Sequence, residues 1–434
     1  MSPVRSLFKT ADGNDCTVTF LLVSSLFLLW GCCNGMIDVM DKHFQDQLHL
    51  TKAQSAWVQT AHYLGYALMA LPAGMLARAI GYKGGIIAGL LLVSLGGFWF
   101  IAATHIAAFW SFLLGVCVIA MGLTVLETVA NPYTTVLGPE RYAALRINLA
   151  QSFNGVGWML GPIIGGAFFY SAGGVEVAHG RLYIPYVGVA TLVLALAVVF
   201  YQAYVPELKV LDKYRLDGHH DPSSQLLRRQ DSIWLRSHFV GAVLAQFLYV
   251  AAQAGIFSFF INYMVSETPA LADGARLTEQ GAARLQGLVG FGLFTLGRIT
   301  GSAFLSKASP HRLLGTYALI NVLLCALVAL KLGWISAAAV FLTFFFMSIS
   351  FPTIFALGID GLGSQAKKAS AFIVMAILGG AILPRLMGYV GDLYDMSVAF
   401  LVPLGCFAVI ALYGYTWPAL SRSARVSPLL RSPV

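Results

Sequence analysis

Charge is what this chain has least of. Asp, Glu, Lys and Arg make up 11% of its 434 residues, against 58% hydrophobic. A soluble domain needs far more polar surface than that to cover its core. Some stretches carry no charge at all, such as the twenty residues from Ala107 to Leu126. With a mean hydropathy of +0.76, the chain reads as a polytopic membrane protein, not as one span attached to a soluble domain. Cysteine is sparse too. Cys16, Cys32, Cys33, Cys117, Cys325 and Cys406 form no C-x-x-C pair, and most lie inside apolar runs. They are expected to be small buried hydrophobes, not disulfides or metal ligands. No G-x-x-x-x-G-K-S/T occurs, so this sequence encodes no ATP motor. H-E-x-x-H and a Ser/His/Asp arrangement on a large soluble domain are also missing. No enzyme activity, metal or prosthetic cofactor is therefore expected. The nine histidines, His43 and His105 among them, are expected mostly in solvated loops. The net charge of +8 raises nucleic acid as a partner, but no basic stripe interleaves with aromatics, so none is expected.

What is present is a set of long apolar runs. Twelve reach spanning length: 17–41, 55–77, 84–104, 107–137, 147–171, 183–205, 237–265, 285–306, 313–332, 335–359, 369–391 and 397–418. The first is too long for a signal-peptide core and is expected to be retained. A hydrophilic segment, Pro206 to Arg236, separates two sets of six. This predicts an N-terminal six-helix bundle over 1–205, a linker over 206–236, and a C-terminal six-helix bundle with a short tail over 237–434. An even span number puts both termini on one side. Nineteen Lys and Arg fall on that side, six on the other, and Arg298 and Arg385 within spans. Basic residues favour the cytoplasm, so both termini and the linker are predicted cytoplasmic.

The halves repeat. Residues 130–138, A-N-P-Y-T-T-V-L-G, align with 350–358, S-F-P-T-I-F-A-L-G, at an offset of 220. Span 1, from Trp30 to Asp38, aligns with span 7, from Tyr249 to Phe257, at an offset of 219. Two six-span halves in the same orientation match the parallel repeat of major facilitator transporters, whose substrate site lies near the midplane between halves. The loop Gly74 to Gly84 is a worn form of that group's loop motif; Arg78, Gly81 and Lys83 remain, and the acid is missing.

Asp38 and Glu127 are read as the only carboxylates within spans. Their repeat counterparts, Phe257 and Met347, are apolar. A charge at the bilayer centre costs about 2.5–3.5 kcal/mol or more, so such acids usually face a cavity and serve function. Asn34 stands four residues before Asp38, and Asn131 four after Glu127, each pair on one helical face. In span 5, Asn148, Gln151 and Asn154 recur every third residue. Amides donate and accept, as a polyhydroxylated ligand requires; the bland alternative is interhelical glue. The second half offers Gln253 and Asn262 with Phe257 and Phe351, and aromatic rings pack on the C–H faces of sugars. Arg298 lies about 13 Å along the helix from Lys307. Arg298, Arg385, Pro132, Gly74 and Arg78 are read as structural or gating residues.

L-E-T-V-A-N-P-Y-T-T-V-L-G-P-E followed by R-I-N-L-A-Q-S-F-N-G-V-G resembles the fucose permease family, the fucose:proton symporters with glucose/galactose permeases as relatives. The likeness continues through A-Q-F-L-Y-V-A-A-Q-A at 245–254, G-R-I-T-G at 297–301, M-S-I-S-F-P-T-I-F-A-L-G-I at 347–359 and F-I-V-M-A-I-L-G-G at 372–380. The resemblance implies proton-coupled uptake of a sugar across a bacterial inner membrane. It implies that Asp38 and Glu127 are the proton-linked pair and that Gln151 and Asn154 line the sugar site. Asn34 matches the first of two adjacent asparagines in the family; the second is Gly35 here. The family's fucose transporter has a basic residue where Asn262 stands. The expectation is thus an all-α, twelve-helix symporter for L-fucose or a related hexose such as galactose or glucose. It is expected to act as a monomer in the bilayer, with the proton as coupling ion. A sodium-coupled sugar carrier and a drug:proton antiporter are the alternatives; a sugar sensor would need a signalling domain that the linker and tails are too short to supply.

Overall fold

Where lipid replaces water, backbone N–H and C=O groups must bond within the segment, and an apolar run resolves into helix. The computed structural model describes residues 7–9, 15–139, 143–170, 183–203, 205, 233–270, 274–305, 308–362 and 366–426. Among them helix is found at all twelve predicted spans. The first half contains α1 (Thr17–Leu48), the short α2 (Lys52–Ser55), α3 (Trp57–Ile106), α4 (Phe109–Val136), α5 (Ala143–Phe169) and α6 (Ile184–Gln202). The second contains α7 (Ser237–Ser258), α8 (Phe260–Glu267), α9 (Glu279–Leu285), α10 (Phe291–Leu305), α11 (Pro310–Ala329), α12 (Trp334–Met347), α13 (Ser350–Ile359), α14 (Ala366–Met375), α15 (Gly379–Leu393), α16 (Met396–Ala399) and α17 (Leu401–Val426). Most of the linker expected over 206–236 lies outside the described residues.

The punctuation follows local chemistry. Thr51 and Gln54 form a reciprocal capping box that starts α2. Spans 2 and 3 run on as α3 through a sharp turn at Gly81, where φ is +73°. A side chain there would clash with the backbone, and glycine has none. In the second half the spans are interrupted near their middles. Span 7 breaks at Phe259 between α7 and α8, span 10 breaks at Ser348–Ile349, and span 8 holds a single wide turn over Gln286–Gly290. Span 11 holds a tight turn over Ala376–Leu378. Such turns inside helices bend them and often accompany functional sites.

Within the first half, α1 packs on α5, and α3 packs on α4 and α6. Within the second, α11 packs on α17, and α7 packs on α15, α13 and α17. The halves meet where α2 and α3 touch α15, where α5 touches α9 and α10, and where α1 touches α7.

One expectation is corrected. α1 continues to Leu48, beyond the predicted end near residue 41, and stays inside the bundle. Asp41 is therefore a third intramembrane carboxylate, fully buried, and not an interfacial one. Lys42, which made that stretch look interfacial, pairs with Asp46 one turn on.

Candidate functional site

The site begins with a close approach of two helices. A Cβ on Gly31 would stand 2.2 Å from the Asn154 carbonyl oxygen, and one on Gly157 2.2 Å from that of Leu28. Only glycine lets α1 and α5 come this near. The approach carries Asn154 against α1, where its Nδ2 donates to the Phe27 carbonyl at 3.3 Å. Asn34 is buried on the same helix.

Next to this contact lies the first polar group. The Trp30 indole donates to the Tyr66 phenol oxygen at 2.6 Å. Tyr66 also meets Asn34 and lies within electrostatic reach of Glu127. Glu127 is half-buried and lines a small recess with Leu26, Phe27, Trp30, Leu126 and Ala130. One turn further along α4, Asn131 accepts a hydrogen bond from Gln151 Nε2 at 3.1 Å. Tyr66 of α3 thus links Asn34 of α1 to Glu127 of α4, and the Asn131–Gln151 pair joins α4 to α5 one turn away. A second recess, lined by Met36, Met40, Ile119, Tyr186 and other apolar residues, contains none of these groups.

The second polar group surrounds Asp38. Gln59 Nε2 donates to Asp38 Oδ1 at 3.2 Å and to Asp41 Oδ2 at 3.3 Å. Among the described residues no hydrogen bond or ion pair joins Asp38 to Glu127. What reaches both acids is one face of α3. Gln59, His62, Tyr63 and Tyr66 fall at i, i+3, i+4 and i+7, and this face was not recognised in the sequence. Its spacing inside an apolar run was the available signal.

Facing residues of the second half are mostly aromatic. Phe257 is buried, stacked on Phe344 at 4.7 Å and near Phe291 at 4.8 Å. Across the interface, Trp158 of α5 reaches Phe257 at 5.8 Å. Phe351 lies edge-on to Tyr249, and Gln253 is half-buried. Asn262 is placed differently from the rest, since its Nδ2 donates to Gln45 Oε1 of α1 at 2.6 Å in a buried contact between halves. Arg385 stacks on the Trp57 ring at 3.9 Å, again across the halves. Arg298 lies over Phe294 at 4.9 Å. Pro132 is exposed within α4. Gly74 has open space around it. The side chains of Arg78 and Asn148 lie outside the described residues.

For His43 the expectation of a solvated loop is corrected, and two further histidines are buried as well. His43, His62 and His238 are buried. His43 stacks on Phe169 at 4.6 Å, and His238 Nε2 meets the Asp360 carbonyl at 3.1 Å. Each lies on a helix that faces the bundle. All six cysteines are free and at least partly buried, as expected.

Contacts between the halves concentrate at the end where α1 joins α2. Asp392 accepts from the backbone N–H groups of Lys52 and Ala53, both at 2.9 Å, and lies 3.8 Å from Lys52 Nζ. Thr60 Oγ1 donates to the Ala381 carbonyl at 2.6 Å. Together with Gln45–Asn262 and Trp57–Arg385, these contacts draw that end of the two bundles together.

Two helical bundles around an intramembrane cluster of amides and acids define a multi-pass membrane carrier. The Major Facilitator Superfamily profile matches residues 19–377. The chain is 37% identical over 420 residues to the L-fucose-proton symporter of Escherichia coli, covering 91% of this chain and 92% of that one. It is 32% identical over 417 residues to a glucose/galactose transporter of Brucella abortus, covering 95% and 97%. A crystal structure of the E. coli fucose transporter in its outward conformation superimposes with a TM-score of 0.62 at 35% identity, covering 92% of this chain and 99% of that one. The chain belongs to the Major Facilitator Superfamily and, within it, to the family of fucose:proton symporters and glucose/galactose transporters. Its relatives are transporters, not enzymes.

Proposed function

We propose that this chain imports a monosaccharide, L-fucose or a related hexose such as galactose or glucose, together with protons across a bacterial inner membrane. The observation that carries the reading is the confinement of Asp38 and Glu127 to one half, Asp38 held by the buried amide of Gln59 and Glu127 one turn from the Asn131–Gln151 pair. The sugar binds against Asn34, Glu127, Asn131 and Gln151, with Trp30 and Tyr66 alongside. Amides donate and accept, which matches hydroxyls in turn. Asn154 holds α1 in place behind them. The Phe257–Trp158 contact closes the facing side, and Gln253 and Phe351 stand further along it.

Both termini and the linker are cytoplasmic on the Lys and Arg distribution. The end sealed by Asp392, Gln45 and Asn262 then faces outward, and the site opens toward the cytoplasm. Protonation of Asp38 or Glu127 removes the charge that would otherwise be desolvated when the cavity closes. Closure is thereby tied to proton binding, and sugar binding supplies the rest of the difference between states. No prosthetic group is needed, and the carrier works as a monomer.

The test is sugar-evoked proton uptake in proteoliposomes, with L-fucose, D-galactose and D-glucose offered separately. At least one sugar should alkalinise the outside. The doubly substituted Asp38→Asn, Glu127→Gln protein should lose this signal. Wild-type proton uptake in that double variant overturns the assignment, and uptake driven by sodium but indifferent to a pH gradient overturns proton coupling.

A further inference from the structure

Asp41 has no role in the scheme above, yet no described carboxylate is buried more completely: it is 0% exposed, against 4% for Asp38. The two are three residues apart on α1 and so share a face. A single neutral amide, Gln59 Nε2, donates to one oxygen of each. The other oxygens, Asp38 Oδ2 and Asp41 Oδ1, are buried and have no hydrogen-bond partner. Neither residue forms an ion pair among the described residues. A buried carboxylate oxygen without a donor is costly, and two adjacent negative charges are costlier still. A proton between the two acids relieves both penalties.

The surroundings do not supply that relief. On α1, Lys42 is engaged with Asp46, and His43 is stacked on Phe169. From α3, Tyr63 lies within electrostatic reach of both acids. From α5, Tyr170 reaches Asp41 while its hydroxyl donates to the Val39 carbonyl at 3.2 Å. From α9, Glu279 faces Asp46. His62, buried one turn from Gln59 on the same face of α3, is the remaining titratable group there, and among the described residues no hydrogen bond or ion pair joins it to either acid.

The position of the pair relative to the seal gives it a purpose. Gln59 is one turn past Ser55, which accepts from Gln45 Nε2 at 2.8 Å, and Gln45 is bonded to Asn262 of the other half. The residue after Gln59, Thr60, is bonded to Ala381, also of the other half. Closing this end therefore buries the two acids and the amide that links them.

We propose that Asp38 and Asp41, bridged by Gln59, act as one two-carboxyl unit that holds a shared proton whenever the sealed end is closed. Asp41 thereby tunes the proton affinity of Asp38, and Gln59 is a positioning residue for both. The inference rests on the symport reading, and deepens it by giving the coupling proton two acids in place of one.

The experiment measures gradient-driven uptake of L-fucose, D-galactose or D-glucose in proteoliposomes as a function of external pH. Asp41→Asn removes the neighbouring negative charge, so its midpoint should move by about one pH unit toward acid. Gln59→Leu removes the donor that favours the charged form, so its midpoint should move toward alkali. Sugar counterflow reports whether each protein is folded. Should Asp41→Asn fail that control, Asp41→Glu takes its place and should keep the wild-type midpoint while Gln59→Leu still shifts. A structural role alone predicts loss of activity without opposite shifts. Unchanged midpoints, or shifts in the same direction, overturn the proposal while leaving symport intact. Absence of sugar-evoked proton uptake in the wild type at every pH overturns symport itself.

Discussion

At the scale of single residues, the amides carry the most direct consequence. Gln151 donates one N–H to Asn131, and its amide has further hydrogen-bonding capacity. On the proposed reading, losing its side chain removes sugar contacts worth about 0.5–1.5 kcal/mol each and leaves Asn131 free to turn. Gln151→Ala should raise the KM for sugar about tenfold, with a thermal midpoint close to that of wild type. Uptake kinetics check this; an unchanged KM would remove Gln151 from the site. Much of this cluster was legible in the sequence, because acids and amides four apart in an apolar run have few bland explanations. Asn34 with Asp38 and Glu127 with Asn131 were visible in that way. Asp41 was not, because the adjacent Lys42 mimics a membrane boundary. Tyr66 and Gln59 were missed because a tyrosine or a lone glutamine in a helix is common, and only the α3 face as a whole sets them apart.

At the scale of elements, the α1–α5 contact is the most demanding packing in the first half. Backbone meets backbone at Gly31 and Gly157, so a larger side chain has no flexible neighbour to displace. Gly157→Val should destabilise the protein by about 3 kcal/mol through overpacking. Gly74 is the internal control, since a Cβ there meets nothing within 4 Å. Gly74→Ala should leave stability unchanged or raise it by about 0.5–1 kcal/mol, the usual gain of alanine over glycine in a helix. Heating in detergent followed by size-exclusion chromatography separates the two outcomes, and equal midpoints for both variants would contradict the packing argument. The twelve spans were readable because spanning length is set by the bilayer. The breaks in spans 7, 8, 10 and 11 were not, because one turn of altered hydrogen bonding leaves hydropathy untouched.

At the scale of the whole molecule, the repeat and the charge distribution pointed to two like-oriented halves, but one sequence must serve both states of a carrier. Which end is closed is decided by contacts between halves; some are apolar, as at Trp158–Phe257, and the directional ones are polar. Asp392 is the hub: it binds two backbone N–H groups at the start of α2 as well as Lys52. The charge favours that helix end, and its hydrogen bonds are of the stronger, ionised kind. Because Asp392 is partly exposed, their net worth is discounted to about 1–2 kcal/mol. An energy of that size changes the ratio of two states about tenfold. Asp392→Ala should therefore raise the share of molecules open at this end by about that factor, without touching the residues proposed to hold sugar and proton. Spin labels on α2 and on the chain following α15 would report it as growth of the long-distance population in the absence of sugar. Added sugar should then bind more readily from the side this end faces, since less free energy is needed to expose the site. An unchanged distance distribution would mean that Gln45–Asn262, Thr60–Ala381 and Trp57–Arg385 hold the end closed on their own.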